Sequence, residues 1–217
     1  GINFSSYTAN VVYEQNFNGS LETLLARLLS NSTRSLSFFS RINKYIISWK
    51  TSLSANVSYS ISKAQQLQQN ILLNFSNKSV SIGAGINTKI SSKITSEYTA
   101  TGYKYVTVIV EKNNQPPIYS ATQKFTINYF PLDKLSFRFS GEHYYLDAVN
   151  SRNQNYFFAD FSILLKPNKA KVDWELITQN LFNSNQFISA VNANNTEVIS
   201  EYQLRPRQIL LKAGFRF

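Results

Sequence analysis

The stretch Ile209-Leu210-Leu211-Lys212-Ala213-Gly214-Phe215-Arg216-Phe217 decides how the rest of the chain is read. Ile209, Leu211, Ala213, Phe215 and Phe217 fall on one side of an extended strand, with Lys212, Gly214 and Arg216 on the other. Successive side chains of a strand point to opposite faces, so a period of two describes a strand with one greasy side and one wet side. The pattern recurs upstream. Leu135, Phe137, Phe139 and Gly141 alternate with Ser136, Arg138, Ser140 and Glu142; Phe125, Ile127 and Tyr129 oppose Lys124, Thr126 and Asn128. Val80, Ile82, Ala84, Ile86 and Ile90 oppose Ser81, Gly83, Gly85, Asn87 and Lys89. Leu53, Ala55, Val57, Tyr59 and Ile61 alternate with Ser and Asn, and Phe157, Ala159, Phe161, Ile163 and Leu165 with Asp160, Ser162 and Lys166.

The links between these runs are uneven. Ser91-Ser92-Lys93, Pro131-Leu132-Asp133 and Pro167-Asn168-Lys169 are tight, whereas 112–117, 149–155 and 183–200 are longer and polar. Short and long links alternate along the chain, as in an outer-membrane barrel with tight periplasmic turns and long external loops. A soluble sandwich has no reason to keep one end tight. The expected strands are 3–16, 33–43, 47–62, 77–91, 94–111, 118–130, 134–148, 154–166, 170–180 and 203–217. Residues 64–76 either add a hairpin or belong to an external loop. The expected fold is therefore all-β: one antiparallel transmembrane β-barrel domain over residues 1–217, with about 10–12 strands.

Composition agrees with that reading. A 217-residue chain is long enough for one all-β domain. No stretch approaches the roughly 18 consecutive apolar residues that a transmembrane helix needs. Barrel strands need about 9–11 residues each and place only alternate side chains in lipid, so a mean hydropathy of -0.24 is no obstacle. The 13 Tyr and 16 Phe favour strands and, for Tyr, the membrane–water boundary. With no Cys, disulfides and thiolate metal sites are excluded. The net charge of +10 is scattered without a dense basic run, which fits anionic lipid head groups and gives no nucleic-acid footprint. The chain opens at Gly1 and contains no Met, so the expectation is a processed protein or a portion of a longer one.

One segment breaks the pattern. Leu21, Leu24, Leu25, Leu28 and Leu29 recur at helical spacing, with Ser20 placed as an N-cap and Glu22 in the first turn. The spacing predicts a short amphipathic helix in an external loop. Leu21, Leu24, Leu25 and Leu28 would either pack on the barrel wall or dock a partner lid or lipoprotein.

Several motifs together carry a resemblance. Leu204-Arg205-Pro206-Arg207-Gln208 and the terminal strand after it resemble the last strand of TonB-dependent outer-membrane receptors, in particular the SusC-like nutrient importers. Trp174-Glu175-Leu176 and Asn180-Leu181-Phe182-Asn183 are similar to that family's penultimate strand and turn, and Asn155-Tyr156-Phe157-Phe158-Ala159-Asp160 to its preceding strand. The resemblance covers about residues 120–217. It implies a bacterial outer-membrane receptor or transporter whose wall surrounds a plug domain and is energised by the TonB system. It also implies that the barrel assembly machinery engages Leu211, Ala213, Phe215 and Phe217 as a C-terminal signal. Such barrels have about twenty-two strands; neither a plug nor a TonB box is visible in this chain. The chain is then a portion of a larger barrel, or a small closed barrel acting as a structural or interaction subunit of an outer-membrane complex.

Catalytic constellations are weak, and no enzyme, cofactor or metal site is expected. His143, the one histidine, lies on the apolar side of its strand beside Tyr144 and Tyr145, where an aromatic boundary band accounts for it. Glu142 and Asp147 fall on opposite faces, which is poor geometry for paired-carboxylate catalysis. Gly83 and Gly85 lack the following helix of a phosphate-binding loop. They fit strand curvature or close approach of lumen contents.

Overall fold

The structure, a computed structural model, describes residues 1–18, 21–110, 116–147, 153–167, 171–193 and 196–215. Its elements are all strands: β1 (Ile2–Asn18), β2 (Leu21–Ile46), β3 (Thr51–Gln68), β4 (Ile71–Lys89), β5 (Ile94–Ile109), β6 (Ile118–Leu132), β7 (Leu135–Asp147), β8 (Gln154–Leu165), β9 (Val172–Gln179), β10 (Gln186–Ala193), β11 (Thr196–Gln203) and β12 (Gln208–Phe215). Ten form one sheet in the order β1-β2-β3-β4-β5-β6-β7-β8-β9-β12, and β10 with β11 makes a separate hairpin. From β1 to β9 neighbours in sequence are neighbours in space and run antiparallel, and β12 then pairs antiparallel with β9 across the β10–β11 hairpin. Among the described residues no helix is long and apolar enough to cross a membrane, a fact silent about strands.

Register sorts the side chains. One level row passes through Thr51, Thr88, Ser96, Ile127, Phe139, Phe161, Thr178 and Ile209 on eight successive strands. The face that carries this row also holds Leu53, Val57, Ile82, Ile86, Tyr98, Phe125, Tyr129, Phe137, Ile163 and Leu176. The opposite face is set with Ser54, Asn56, Ser81, Asn87, Thr99, Thr126, Ser140, Asp160 and Glu175. Apolar thus faces apolar across nearly the whole width.

The apolar band is oblique to the strands. On β3 the level row, at Thr51, lies at one extremity of the run Leu53 to Ile61; on β12 the same row, at Ile209, lies at the other extremity, with Leu211, Ala213 and Phe215 beyond it. Over the seven steps between, the band slides about nine residues, roughly 1.3 per step. Strands about 4.8 Å apart, rising about 3.3 Å per residue and tilted about 35–45°, would cross a level slab with a slip of roughly 1.0–1.5 residues each.

The sheet has little interior. Among the described residues the buried apolar side chains are Val12, Leu73, Phe75, Ile109, Ile118, Leu146 and Ala159, and the accessible surface is 14725 Å². A soluble monomer of this mass would expose roughly 10,000 Å². The excess is apolar and large: Ile82 is 60% exposed, Leu211 67% and Ile209 70%.

All ten expected strands are present. Residues 64–76 resolve the open choice differently from either alternative, because they are the extended tip of the β3–β4 hairpin, paired from Ala64↔Phe75 to Gln68↔Ile71. Gln69 and Asn70 both adopt positive φ (48° and 63°), the turn whose twist matches two flanking strands. The interval 183–200, expected as a loop, contains β10 and most of β11.

The helix expected over Leu21–Leu29 does not exist. These residues open β2 and pair with β1, from Leu21↔Asn18 through Leu28↔Val11. A nine-residue helix alone in water is marginal and needs a surface on which to bury its stripe. The ladder to β1 gives each residue from Leu21 to Leu28 a partner, and alternation along β1 (Val11, Tyr13 against Val12, Glu14) suits a strand partner. As a strand, the segment splits its leucines: Leu24 and Leu28 share one side, Leu25 the other, so they form no single docking stripe.

The far end of β1 stays paired with β2 and, after an irregularity between Ala9 and Val11, also runs parallel to β3 at Glu14↔Leu67 and Gln15↔Gln68. Glu14 is buried there, accepting from Arg27 Nε at 2.7 Å and from the Asn70 backbone N–H at 2.9 Å. Arg27, and then the Asn70 amide, hold its carboxyl below the ordinary value of 4.5 against an opposing effect of burial. This corner projects past the apolar band. A carboxyl whose folded pKa is depressed contributes stability above its unfolded pKa and loses it as pH falls through the folded value. The Asn70 amide protection factor should therefore fall as pH drops from about 4.5 downward. In Glu14→Gln, which keeps an acceptor oxygen but no titrating carboxyl, it should not change over that range. A flat profile in the native chain would contradict this account.

Candidate functional site

Two features of the polar face gather chemistry: a charged array on β6–β9 and β12, and an aromatic cluster capped by the β10–β11 hairpin. In the array, Lys124 and Glu142 are cross-strand partners and meet at 3.0 Å. Arg138, Ser140, Asp160, Ser162 and Glu175 line a shallow cleft of about 270 Å³ beside them. Glu175 stands opposite Lys212. Opposite charges on facing positions of a sheet are worth tenths of a kcal/mol each, so the array is an adaptable polar lining more than a structural clamp.

The aromatic cluster sits on the same face. Tyr144, Tyr156 and Phe158 come from β7 and β8, and Phe187 of β10 lies over them with ring centroids 4.9, 5.1 and 6.2 Å away. Tyr202 of β11 adds a fourth neighbour at 6.3 Å. The Ile188 backbone N–H donates to the Tyr156 hydroxyl at 3.1 Å, which itself donates to Gln154 Oε1. The hairpin therefore lies across the polar face and does not hang free of it.

What holds the hairpin is a polar junction at its base. Asn180 and Asn183 both adopt left-handed backbone (φ 53° and 54°), a conformation that Asn tolerates better than most residues. The Asn180 side chain donates to the carbonyls of Ser184 and Arg205, each at 2.9 Å, and accepts from the Ser184 N–H. Its backbone N–H donates to Asp160 of β8. Asn183 Oδ1 accepts from the Arg207 N–H, and Arg207 Nη2 donates to the Leu181 carbonyl at 2.6 Å. The segments Asn180-Leu181-Phe182-Asn183 and Leu204-Arg205-Pro206-Arg207 are thus one joined structure. Sequence reading singled out both but gave no sign that they touch, because nothing in spacing reveals a contact across an 18-residue hairpin, Gln186 to Gln203.

The remaining expectations fall as follows. Leu211, Ala213 and Phe215 share the apolar face of β12, exposed, while Phe217 lies outside the described residues. Leu24, Leu25 and Leu28 are exposed on β2, and of the Leu21 side chain nothing is described. His143 is on the apolar face, stacked on Phe157 at 4.4 Å, with Nε2 3.2 Å from Asn155 Oδ1. Glu142 and Asp147 are on opposite faces, since they pair with Lys124 and Tyr119. At Gly83 and Gly85 an added Cβ would come within 2.5 Å of Asn56 Oδ1 and Ser54 Oγ, so these glycines make room for polar neighbours on β3. Among the described residues no three His, Asp or Glu side chains gather in a metal-binding group.

In comparisons with known proteins, no family model, curated protein or solved structure matches the chain.

The junction makes a prediction. Asn180→Ala removes three side-chain hydrogen bonds, each worth about 1 kcal/mol, and puts Ala in a backbone region costing roughly 1–2 kcal/mol. Hydrogen exchange across β10 and β11 should accelerate strongly while β4 and β5 are unchanged. Asn180→Gly, which relieves only the backbone cost, should fall between the native chain and Asn180→Ala.

Proposed function

We propose that this chain forms wall of a transmembrane β-barrel in a bacterial outer membrane, serving as part of a receptor or transporter that resembles TonB-dependent nutrient importers. The observation that carries the reading is the oblique apolar band. A protein core would be met by a second layer, and ten strands here share one layer with an exposed apolar face. A band that slips about 1.3 residues per strand is what a level lipid slab requires of strands tilted at about 35–45°. In this reading the polar face looks into the barrel. The Lys124–Glu142 pair, Arg138, Asp160, Glu175 and Lys212 then line the interior for a plug domain, water or passing solute. The β10–β11 hairpin lies across that interior at the end of the longer links.

The importer part of the proposal rests on the Asn180–Asn183 and Leu204–Arg207 segments together with the terminal strand. In the fold the first two of these segments meet at the hairpin base. Function then follows by transport and not by catalysis: a plug displaced by the TonB system admits nutrient. The barrel assembly machinery would engage Leu211, Ala213, Phe215 and Phe217 at the last strand. A surface lipoprotein or lid would contact the external end.

One observation favours a second reading, a small closed barrel serving as a structural or interaction subunit. The outer edge of β12 and that of β1 over Ile2–Ala9 each have one described neighbouring strand, so the two edges are free to join each other. A cysteine at Ser5 combined with a series along β12 distinguishes the two: rapid disulfide formation within one chain supports closure, and its absence supports a sector of a wider wall.

The chain has no Cys of its own, which makes labelling clean. Single cysteines at Ile82, Ile127 and Leu176 should carry fluorophores that lipid-phase quenchers reach after reconstitution. Labels at Ser81, Thr126 and Glu175 should be spared. Equal quenching on both faces, or none on either, would sink the membrane assignment.

A further inference from the structure

We propose that Arg34, Lys63 and Lys78 form a binding site for the phosphate of an anionic membrane lipid, on the apolar face at the end remote from the tight turns. The inference rests on the membrane reading above and adds a ligand to it. These three cations belong to β2, β3 and β4, and Lys104 of β5 continues the series on the next strand. All four share the face of the apolar band, because Arg34 pairs with Lys63, Lys78 with Ile61, and Lys104 with Val80. On β2, β3 and β4 they stand where the apolar run gives out, next to Leu36, Ile61 and Val80 on the same face. In a membrane that border is the level of the head groups, where basic side chains meet lipid phosphate.

Two further observations turn a row of charges into a site. Arg34, Lys63 and Lys78 converge on one concavity of about 460 Å³ with Gln65, Asn74 and Ser76 at its polar end and Ile61 and Val110 on its walls. That is space for a phosphate with apolar surface beside it for the first carbons of an acyl chain. The cations are also uncompensated: among the described residues the ion pairs are Arg27–Glu14 and Lys124–Glu142, and neither involves them. Arg34 and Lys63 stand directly opposite each other across two strands. Like charges so placed repel, and a bound anion between them converts that cost into attraction. Lys104 lies 5.2 Å over the Tyr119 ring, which leaves the other three as the binding group.

The test uses the whole chain in neutral detergent, titrated with phosphatidylglycerol or phosphatidylcholine and read by native mass spectrometry. Phosphatidylglycerol should bind preferentially. The triple variant R34Q/K63Q/K78Q should lose affinity for it on the order of a hundredfold, three surface charges at the usual contribution each. K124Q/K212Q, which removes two charges from the polar face, should bind like the native chain. R34K/K63R should keep binding and controls for folding, as does K78Q alone, expected to lose several-fold. Undiminished phosphatidylglycerol binding by the triple variant overturns the site. Displacement of the lipid by millimolar inorganic phosphate overturns the lipid as its ligand and assigns the pocket to free phosphate. The quenching experiment separates the two proposals: quenched labels at Ile82 with unchanged lipid binding in the triple variant defeat only this one.

Discussion

Each cross-strand hydrogen bond in the ladder from β1 to β12 does two things at once. It satisfies a backbone polar group, and it decides which side chains lie abreast. A slip of one residue at any pair would move that strand's Ile, Leu and Phe onto the polar face and its Ser and Asn onto the apolar one. Register is therefore the constraint on which every other property hangs. With it, ten strands of modest hydrophobicity add up to a continuous apolar surface and a continuous polar one. The low mean hydropathy of -0.24 and the large exposed apolar area cease to conflict, since half of every strand is apolar and that half is collected on one side.

The small buried clusters mark where the sheet departs from one layer. Leu73, Phe75 and Ile109 bury together near the tip of β3–β4, and Ile118 and Leu146 bury with Tyr144 against them. Both lie toward the end with the longer connections. There the β1–β2 hairpin turns over β3, and the β10–β11 hairpin covers the aromatic residues of β7 and β8. Among the described residues, protein covers protein at that end. The middle of the sheet, around Ile82, Ala84 and Ala100, has no such cover.

Much of this was legible from residue order. Alternation located all ten strands of the main sheet, and it put His143 and Phe157 on the apolar side and Asp160 and Lys212 on the polar one. Leu21–Leu29 misled because leucines four apart satisfy a helix and a strand equally, and the tie is broken by β1, a partner that a local pattern does not contain. The polar junction at Asn180 was visible as two motifs and invisible as a contact. The basic pocket was missed for a related reason: Arg34, Lys63 and Lys78 are 29 and 15 residues apart in the chain. Only the register of two hairpins makes them neighbours.

The corner where Glu14 meets Asn70 has a bearing on the order in which the molecule is completed. Glu14 belongs to β1 and is met by Arg27 within the first hairpin, yet its second partner, the Asn70 amide, lies 56 residues downstream, in a turn that needs β3 and β4 to be paired before it exists. The β1–β2 hairpin is in this respect completed only by strands that follow it. Until the third and fourth strands are in place, the outer half of the β1–β2 hairpin has Arg27 to compensate Glu14 but neither the Asn70 amide nor an edge of β3 to lean on. Assembly of this sheet must therefore double back from β4 to β1, and progress along the chain is not the same as progress toward the finished structure.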